Sequence, residues 1–333
     1  MPASRMPLPR ALGLATLCLS SLCLLSLLLG AGDVGIWPSL QALLGGADDD
    51  ARFVVHELRW MRTELALLVG LALGCAGVLL QAVTRNPLAE PGLLGVSAGS
   101  SFAVVLAINL GASAATLHLG VAMLGALVGC VLVLAVTRLR GVGDDPVRLV
   151  LAGAAFSGIL GALSSMLLLW DQRTADEMRF WVIGALAGRP TDTLSWALPG
   201  LLLGLLIALP LIRPLSALAL GERVASGLGH HPQLTRLGTL LAVSLLVGTA
   251  TAAAGPIGFI GLIVPYIARR LVGSDIRRTL VLSMLLGPCV LLFADVLSRL
   301  LVSPYELPVG VVTAFVGAPI LIAVVRNHRL PTL

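Results

Sequence analysis

The chain alternates long apolar runs with short polar punctuation. Runs near 11–30, 64–83, 92–111, 117–137, 148–170, 194–212, 237–254, 257–271, 280–302 and 308–325 are almost wholly apolar. A membrane-crossing helix needs roughly 20 such residues, so the pattern predicts about ten transmembrane helices. That is an all-α polytopic membrane protein, read as a single permeation domain over 1–333, with an external loop over 31–58 and a long internal connection over 213–236. The stretch from Leu58 to Ser100 organises the rest. It opens on Arg59 and Arg62, runs through Gly70, Gly74 and Gly77, and breaks at Asn86-Pro87. Small residues let membrane helices approach backbone to backbone. Pro87 removes a donor and forces Asn86 out of helical geometry, so the chain turns there. In lipid, such a break persists only inside protein or beside a water-filled cavity.

Composition narrows the class. The residues are 57% hydrophobic and 12% charged, with a mean hydropathy of +0.99. A soluble globule carries about a quarter charged residues. The net charge of +5 would suggest nucleic acid for a soluble chain, but here it reads as topology and implies no nucleic-acid partner. Lysine is absent, so all 22 basic side chains are arginine. With the amino terminus inside, 15 arginines fall in internal segments and six (Arg52, Arg59, Arg62, Arg173, Arg179, Arg189) in external ones, with Arg299 near a span end. The positive-inside rule then places both termini in the cytoplasm. Arg5 and Arg10 before an apolar run also fit a cleavable signal peptide, but the run exceeds the usual h-region, which favours a first span. Cys18, Cys23, Cys75, Cys130 and Cys289 lie in apolar runs without CxxC spacing and read as buried small hydrophobes rather than metal ligands.

Several polar features have two readings. Asp48-Asp49-Asp50 fits a solvated loop better than a calcium loop, whose carboxylates alternate. Ser157, Gly161 and Ser164 share a helix face, either as packing surface or as conduit lining. Asp171 to Asp192 holds Phe180 and Trp181, which suit an interfacial helix. Leu220, Val224 and Leu228, at i, i+4 and i+8, predict a short amphipathic helix outside the bilayer that needs a partner over its apolar stripe. His230-His231 do not converge on a metal without further ligands. Gly255 to Gly261, GPIGFIG, repeats the character of the first break, and the two approach from opposite sides, as a possible inverted repeat of the two halves would have them. Asp295 and Arg299 form an i,i+4 opposite-charge pair inside a span, ahead of a Ser303-Pro304 break. A fixed counter-charge keeps Asp295 ionised, which disfavours a proton relay. The arginines Arg59 and Arg62 either snorkel to headgroups or make a docking contact. There is no GxxxxGK[ST] loop, nucleophile-base pair or HExxH, so the chain is read as no enzyme and as binding no cofactor itself.

Arg59-x-x-Arg62, RNPLAEPGLLGVSAG, LGERVASGLG, GPIGFIGLIVPYIAR, and FADVLSRLL with ELPVGVVTAFVGAPILI together resemble the FecCD type of ABC-transporter permease, which imports iron-siderophores, haem and cobalamin. RFWVIGALAGR (Arg179 to Arg189) and LFADVLSRLL resemble its catecholate-siderophore branch. The resemblance implies a type II importer fold in a bacterial inner membrane, paired with a second permease copy or a homologue. It implies two ATP-binding subunits, which hold ATP and magnesium, and an extracytoplasmic substrate-binding protein. In that family the arginines matching Arg59, Arg62 and Arg299 bind acidic residues of the binding protein, a role suited to a planar, permanently charged fork. The segment holding Gly221, Glu222, Arg223, Ala225 and Gly229 matches the helix that couples to the ATPase. Asn86, Pro87 and Leu88 match the cytoplasmic gate, and the fifth span, with Ser157, Gly161 and Ser164, matches the central path. Two positions depart from the pattern: Met61 stands where the family has Pro, and Tyr266 where it has His. The expected function is translocation of an iron-siderophore complex, with haem or cobalamin as alternative cargo. An ion-coupled secondary carrier is the rival of another class, and it would need intramembrane carboxylates.

Overall fold

A computed structural model describes residues 6–30, 34–46, 48–112, 114–138, 146–302 and 305–326. Arg5, Asp33, Arg140, Arg329 and the Ser303-Pro304 break lie outside them, as do the side chains of Arg138, Arg148, Arg179 and Phe180. The described residues form helices α1 (Leu8–Leu28), α2 (Ile36–Leu43), α3 (Asp49–Phe53), α4 (Trp60–Thr84), α5 (Val96–Asn109), α6 (Ala114–Arg138), α7 (Pro146–Trp170), α8 (Gln172–Ile183), α9 (Thr193–Ala219), α10 (Glu222–Gly227), α11 (Pro232–Ala254), α12 (Ile260–Val272), α13 (Ile276–Leu300) and α14 (Val309–Arg326). Each of the ten apolar runs falls on one of these helices. Among the described residues, six are long and apolar enough to cross a membrane: α1, the continuous Asp49–Thr84 helix, α7, α9, α11 and α13.

The centre of the bundle is α4. Its apolar window is 89% buried, against 11% for α7 and 17% for α1, so α4 is the spine and those two are rim. The spine packs against α13, α11, α12 and α9. Glycines make this possible. A Cβ on Gly70 would stand 2.5 Å from the Pro288 backbone, one on Gly74 2.6 Å from the Ser283 carbonyl, and one on Gly77 would overlap the Gly261 carbonyl. The same device joins α5 to α6, where Gly125 faces the carbonyl of Gly99. Apolar side chains gain nothing over lipid by burying one another, so this close approach supplies the association.

Two expectations need correction, on Trp181 and on the cysteines, and two connections prove more helical than a plain loop. The segment 31–58 is largely helical: α2 and α3 occupy it, and a π-helical turn, Val54–Arg59, joins α3 to α4 without a break. Met61 leaves the backbone donor that Pro would remove, and the helix runs straight through it. Within 213–236, α9 continues to Ala219, α10 follows, and α11 starts at Pro232. Trp181 is no interfacial residue: it is 4% exposed and packs with Met178, Val104, Val105, Ile108 and Ala252. Cys18 is exposed and Cys23 half-buried, while Cys75, Cys130 and Cys289 are buried.

Candidate functional sites at the two ends of the bundle

At one end the sequence-predicted arginines converge. Arg59, Arg62 and Arg299 are all buried, at 4%, 7% and 1% exposure, so none of them snorkels. Arg62 Nε donates to Asp295 Oδ1 at 2.7 Å, and its Nη1 donates to Glu306 Oε2 at 2.5 Å. Arg299 Nη2 donates to the other Asp295 oxygen at 2.5 Å and to Ser26 Oγ at 2.7 Å, and its Nη1 to the carbonyls of Ser26 and Leu29. Arg59 is held by neutral acceptors: the carbonyls of Leu27, Leu28 and Val34, and the Ser39 hydroxyl. The i,i+4 pair of Asp295 and Arg299 thus exists, but it belongs to a larger lattice that ties α1, α4 and α13 together. These groups border a cavity of ≈ 220 Å³, lined also by Glu57, Gly188 and Arg189. Arg189 donates to the carbonyls of Ala185 and Ala254. Burial lowers its guanidinium to about 10, so it stays charged at neutral pH.

At the other end, α4 stops at Arg85, whose φ of 50° is left-handed. Asn86 Oδ1 then accepts from Leu88 N at 2.9 Å, the side-chain turn expected of Asn before Pro. From that turn the Arg85 guanidinium reaches the carbonyl of Leu218 at the end of α9, which ties the break to the short helix α10. The start of α10 is set by Gly221 at φ 120° and its exit by Gly229 at φ 81°. Glu222 pairs with Arg236 on α11, and Ala225 is buried against the bundle. Leu220, Val224 and Leu228 are 71%, 44% and 62% exposed, so the predicted apolar stripe is there and no described residue of this chain covers it. Arg223 lies on the same short helix. Among the described residues no group of three or more His, Cys, Asp or Glu could hold a metal ion.

Just past the turn at Asn86, the segment after the first break meets the second break. Glu90 Oε1 accepts from the backbone N of Phe259 at 2.5 Å, and a Cβ on Gly261 would stand 2.7 Å from Pro91. Phe259 is itself left-handed at φ 69°. Burial pushes the Glu90 carboxyl up, partly offset by that N–H. Below the break, the Arg269 guanidinium pairs with Gln81 Oε1, and Gln81 Nε2 donates to the Gly261 carbonyl at 3.3 Å. Arg269, one of the 15 arginines assigned by sequence to internal segments, is buried. On α7, Gly161 has open space beside it, Ser157 is half-buried and Ser164 bonds back to Leu160. At Gly161 the face packs on no described residue of this chain. Tyr266 accepts hydrogen bonds from Arg270, whose guanidinium lies 5.3 Å from the ring centre.

The sequence alone missed Glu306, Glu90 and the Gln81 to Arg269 pair as site residues. Glu90, Arg269 and Glu306 lie inside the motifs that carry the resemblance, but nothing local in those motifs marks them as meeting a distant partner.

The FecCD transport family model matches residues 18–327. The chain is 46% identical over 305 residues, 91% of each chain, to the ferric enterobactin transport system permease protein FepD of Escherichia coli (strain K12). It is 36% identical over 316 residues, 92% of this chain and 93% of the relative, to the hemin transport system permease protein HmuU of Yersinia pestis. A solved inward-facing structure, described as of the metal-chelate type of ABC transporter, superposes with a TM-score of 0.81 at 32% identity, over 96% of this chain and 99% of that one. The chain therefore belongs to the FecCD transport family and is a multi-pass membrane permease of the ABC-importer type.

Proposed function

We propose that this permease passes a ferric siderophore across a bacterial inner membrane, with both termini on the cytoplasmic side. Two copies, or this chain and a homologue, enclose the path, which the open face of α7 around Ser157, Gly161 and Ser164 helps line. Two ATP-binding subunits, carrying ATP and magnesium, seat on α10. An extracytoplasmic substrate-binding protein docks at the end where Arg59, Arg62 and Arg299 cluster. The 46% identity to a ferric enterobactin permease supports the cargo class.

The exposed stripe of Leu220, Val224 and Leu228 carries the reading. A six-residue helix is too short to hold its shape by itself, yet α10 is held by the Glu222 to Arg236 pair and by buried Ala225. The rigid mount and open apolar face suit a lever gripped by another protein. Through Arg85 and Leu218 the lever reaches the turn at Asn86, Pro87 and Leu88, so a push on α10 is felt at the gate loop. Replacing Glu222 with Ala frees the mount. In vesicles holding the permease and its ATPase, the expected result is continued ATP turnover with loss of iron uptake. Normal uptake by that variant removes the coupling assignment.

A further inference from the structure

The two carboxylates on Arg62 are not equivalent. Asp295 is fully buried, sits within α13 and serves Arg299 as well. It is a fixed part of the helix contact. Glu306 lies outside both α13 and α14, in the connection between them, and 34% of its side chain is exposed. Among the described residues its hydrogen bond is to the Nη1 edge of Arg62, and it stands on the cavity wall. That cavity is lined by four guanidiniums, Arg59, Arg62, Arg189 and Arg299, and by two carboxylates, Glu57 and Glu306. Neutral acceptors hold Arg59 and Arg189, so cation is in excess there. Among the described contacts of Arg62, the Nη1 edge is the one held by a group with water to retreat into.

We infer that Glu306 is an internal surrogate for a partner's carboxylate. In the resting permease it occupies the Nη1 edge of Arg62, and an acidic side chain of the docking binding protein displaces it. The inference rests on the docking reading given above. Without Glu306, Arg62 would keep only the Asp295 carboxylate that it shares with Arg299, and a buried guanidinium short of counter-charge is destabilised, so the waiting site gains from a second carboxylate. An internal carboxylate keeps the fork charged, planar and aimed between docking events. Exchanging one carboxylate for another conserves the ion pair, so docking stays reversible, and a neutral side chain cannot make the exchange.

The test uses the permease assembled with its ATPase in nanodiscs. The probe is the extracytoplasmic binding protein that supports uptake by this permease in vesicles. Its Kd is measured for the native chain, E306Q, E306D and R62Q. Removing the competitor in E306Q tightens binding roughly fivefold, the scale of one partly exposed ion pair. E306D, which keeps the charge, stays near the native value, and R62Q weakens binding. If E306Q binds no tighter while R62Q still weakens binding, the surrogate role is overturned and docking stands. If R62Q binds like the native chain, the docking reading itself is lost, and the surrogate with it. An E306Q that fails to assemble makes Glu306 a structural counter-ion and likewise overturns the proposal.

Discussion

Arg62 and Asp295 are 233 positions apart in sequence and 2.7 Å apart in space. Asp295 is fully buried and also serves Arg299, so one carboxylate is shared by two guanidiniums where α4 meets α13. Asp295→Asn leaves both cations without it. The expected cost is about 3–5 kcal/mol, the range for breaking a buried pair from one side. A thermal melt of the detergent-purified protein checks this: a large fall in Tm is expected, and an unchanged Tm contradicts the network.

Close helix contact at α4 gives a second prediction. A methyl at Gly77 overlaps the Gly261 carbonyl, whereas one at Gly13 meets nothing within 4 Å. Gly77→Ala is expected to destabilise by about 1–3 kcal/mol through overpacking, and Gly13→Ala to leave stability almost unchanged. Comparing their melts separates a packing effect from a general effect of removing glycine.

Much of this arrangement was legible in the chain, for identifiable reasons. Apolar run length marked the spans because lipid thickness sets helix length. Gly70, Gly74 and Gly77 marked the crowded face of α4, and Asn86-Pro87 marked its end, since both effects are local. The stripe on α10 was readable because a 3.6 period is local too. Pairings across more than a hundred positions were not readable. Nothing near Glu306 says that it meets Arg62, or near Glu90 that it meets Phe259. Trp181 misled because an aromatic at the end of a short amphipathic helix looks the same whether it faces headgroups or a neighbouring helix. Cys18 misled because on a rim helix an apolar run has a lipid face as well as a buried one.

Glu90 supplies a third prediction. Its carboxylate is the acceptor for the Phe259 N–H where the segment after the first break meets the second. Glu90→Ala orphans that part-buried donor, at an expected cost of about 1 kcal/mol. Glu90→Gln keeps an acceptor oxygen and is expected to retain most of the stability. If both variants melt alike, the hydrogen bond is not what joins the two segments.

On α10, Val224→Asp and Leu228→Asp place charge on exposed positions. Surface changes of this kind usually move stability by less than about 0.5 kcal/mol. The permease is therefore expected to fold normally and to lose its ATPase in a pull-down. Retained association would show that the stripe is not the contact.

The central claim is that this chain is a gated passage without a motor of its own. Proteoliposomes containing the permease and the binding protein, with and without the ATP-binding subunit, test it by uptake of radioactive ferric siderophore. Accumulation is expected only when that subunit and ATP are both present; steady accumulation in its absence would contradict the claim.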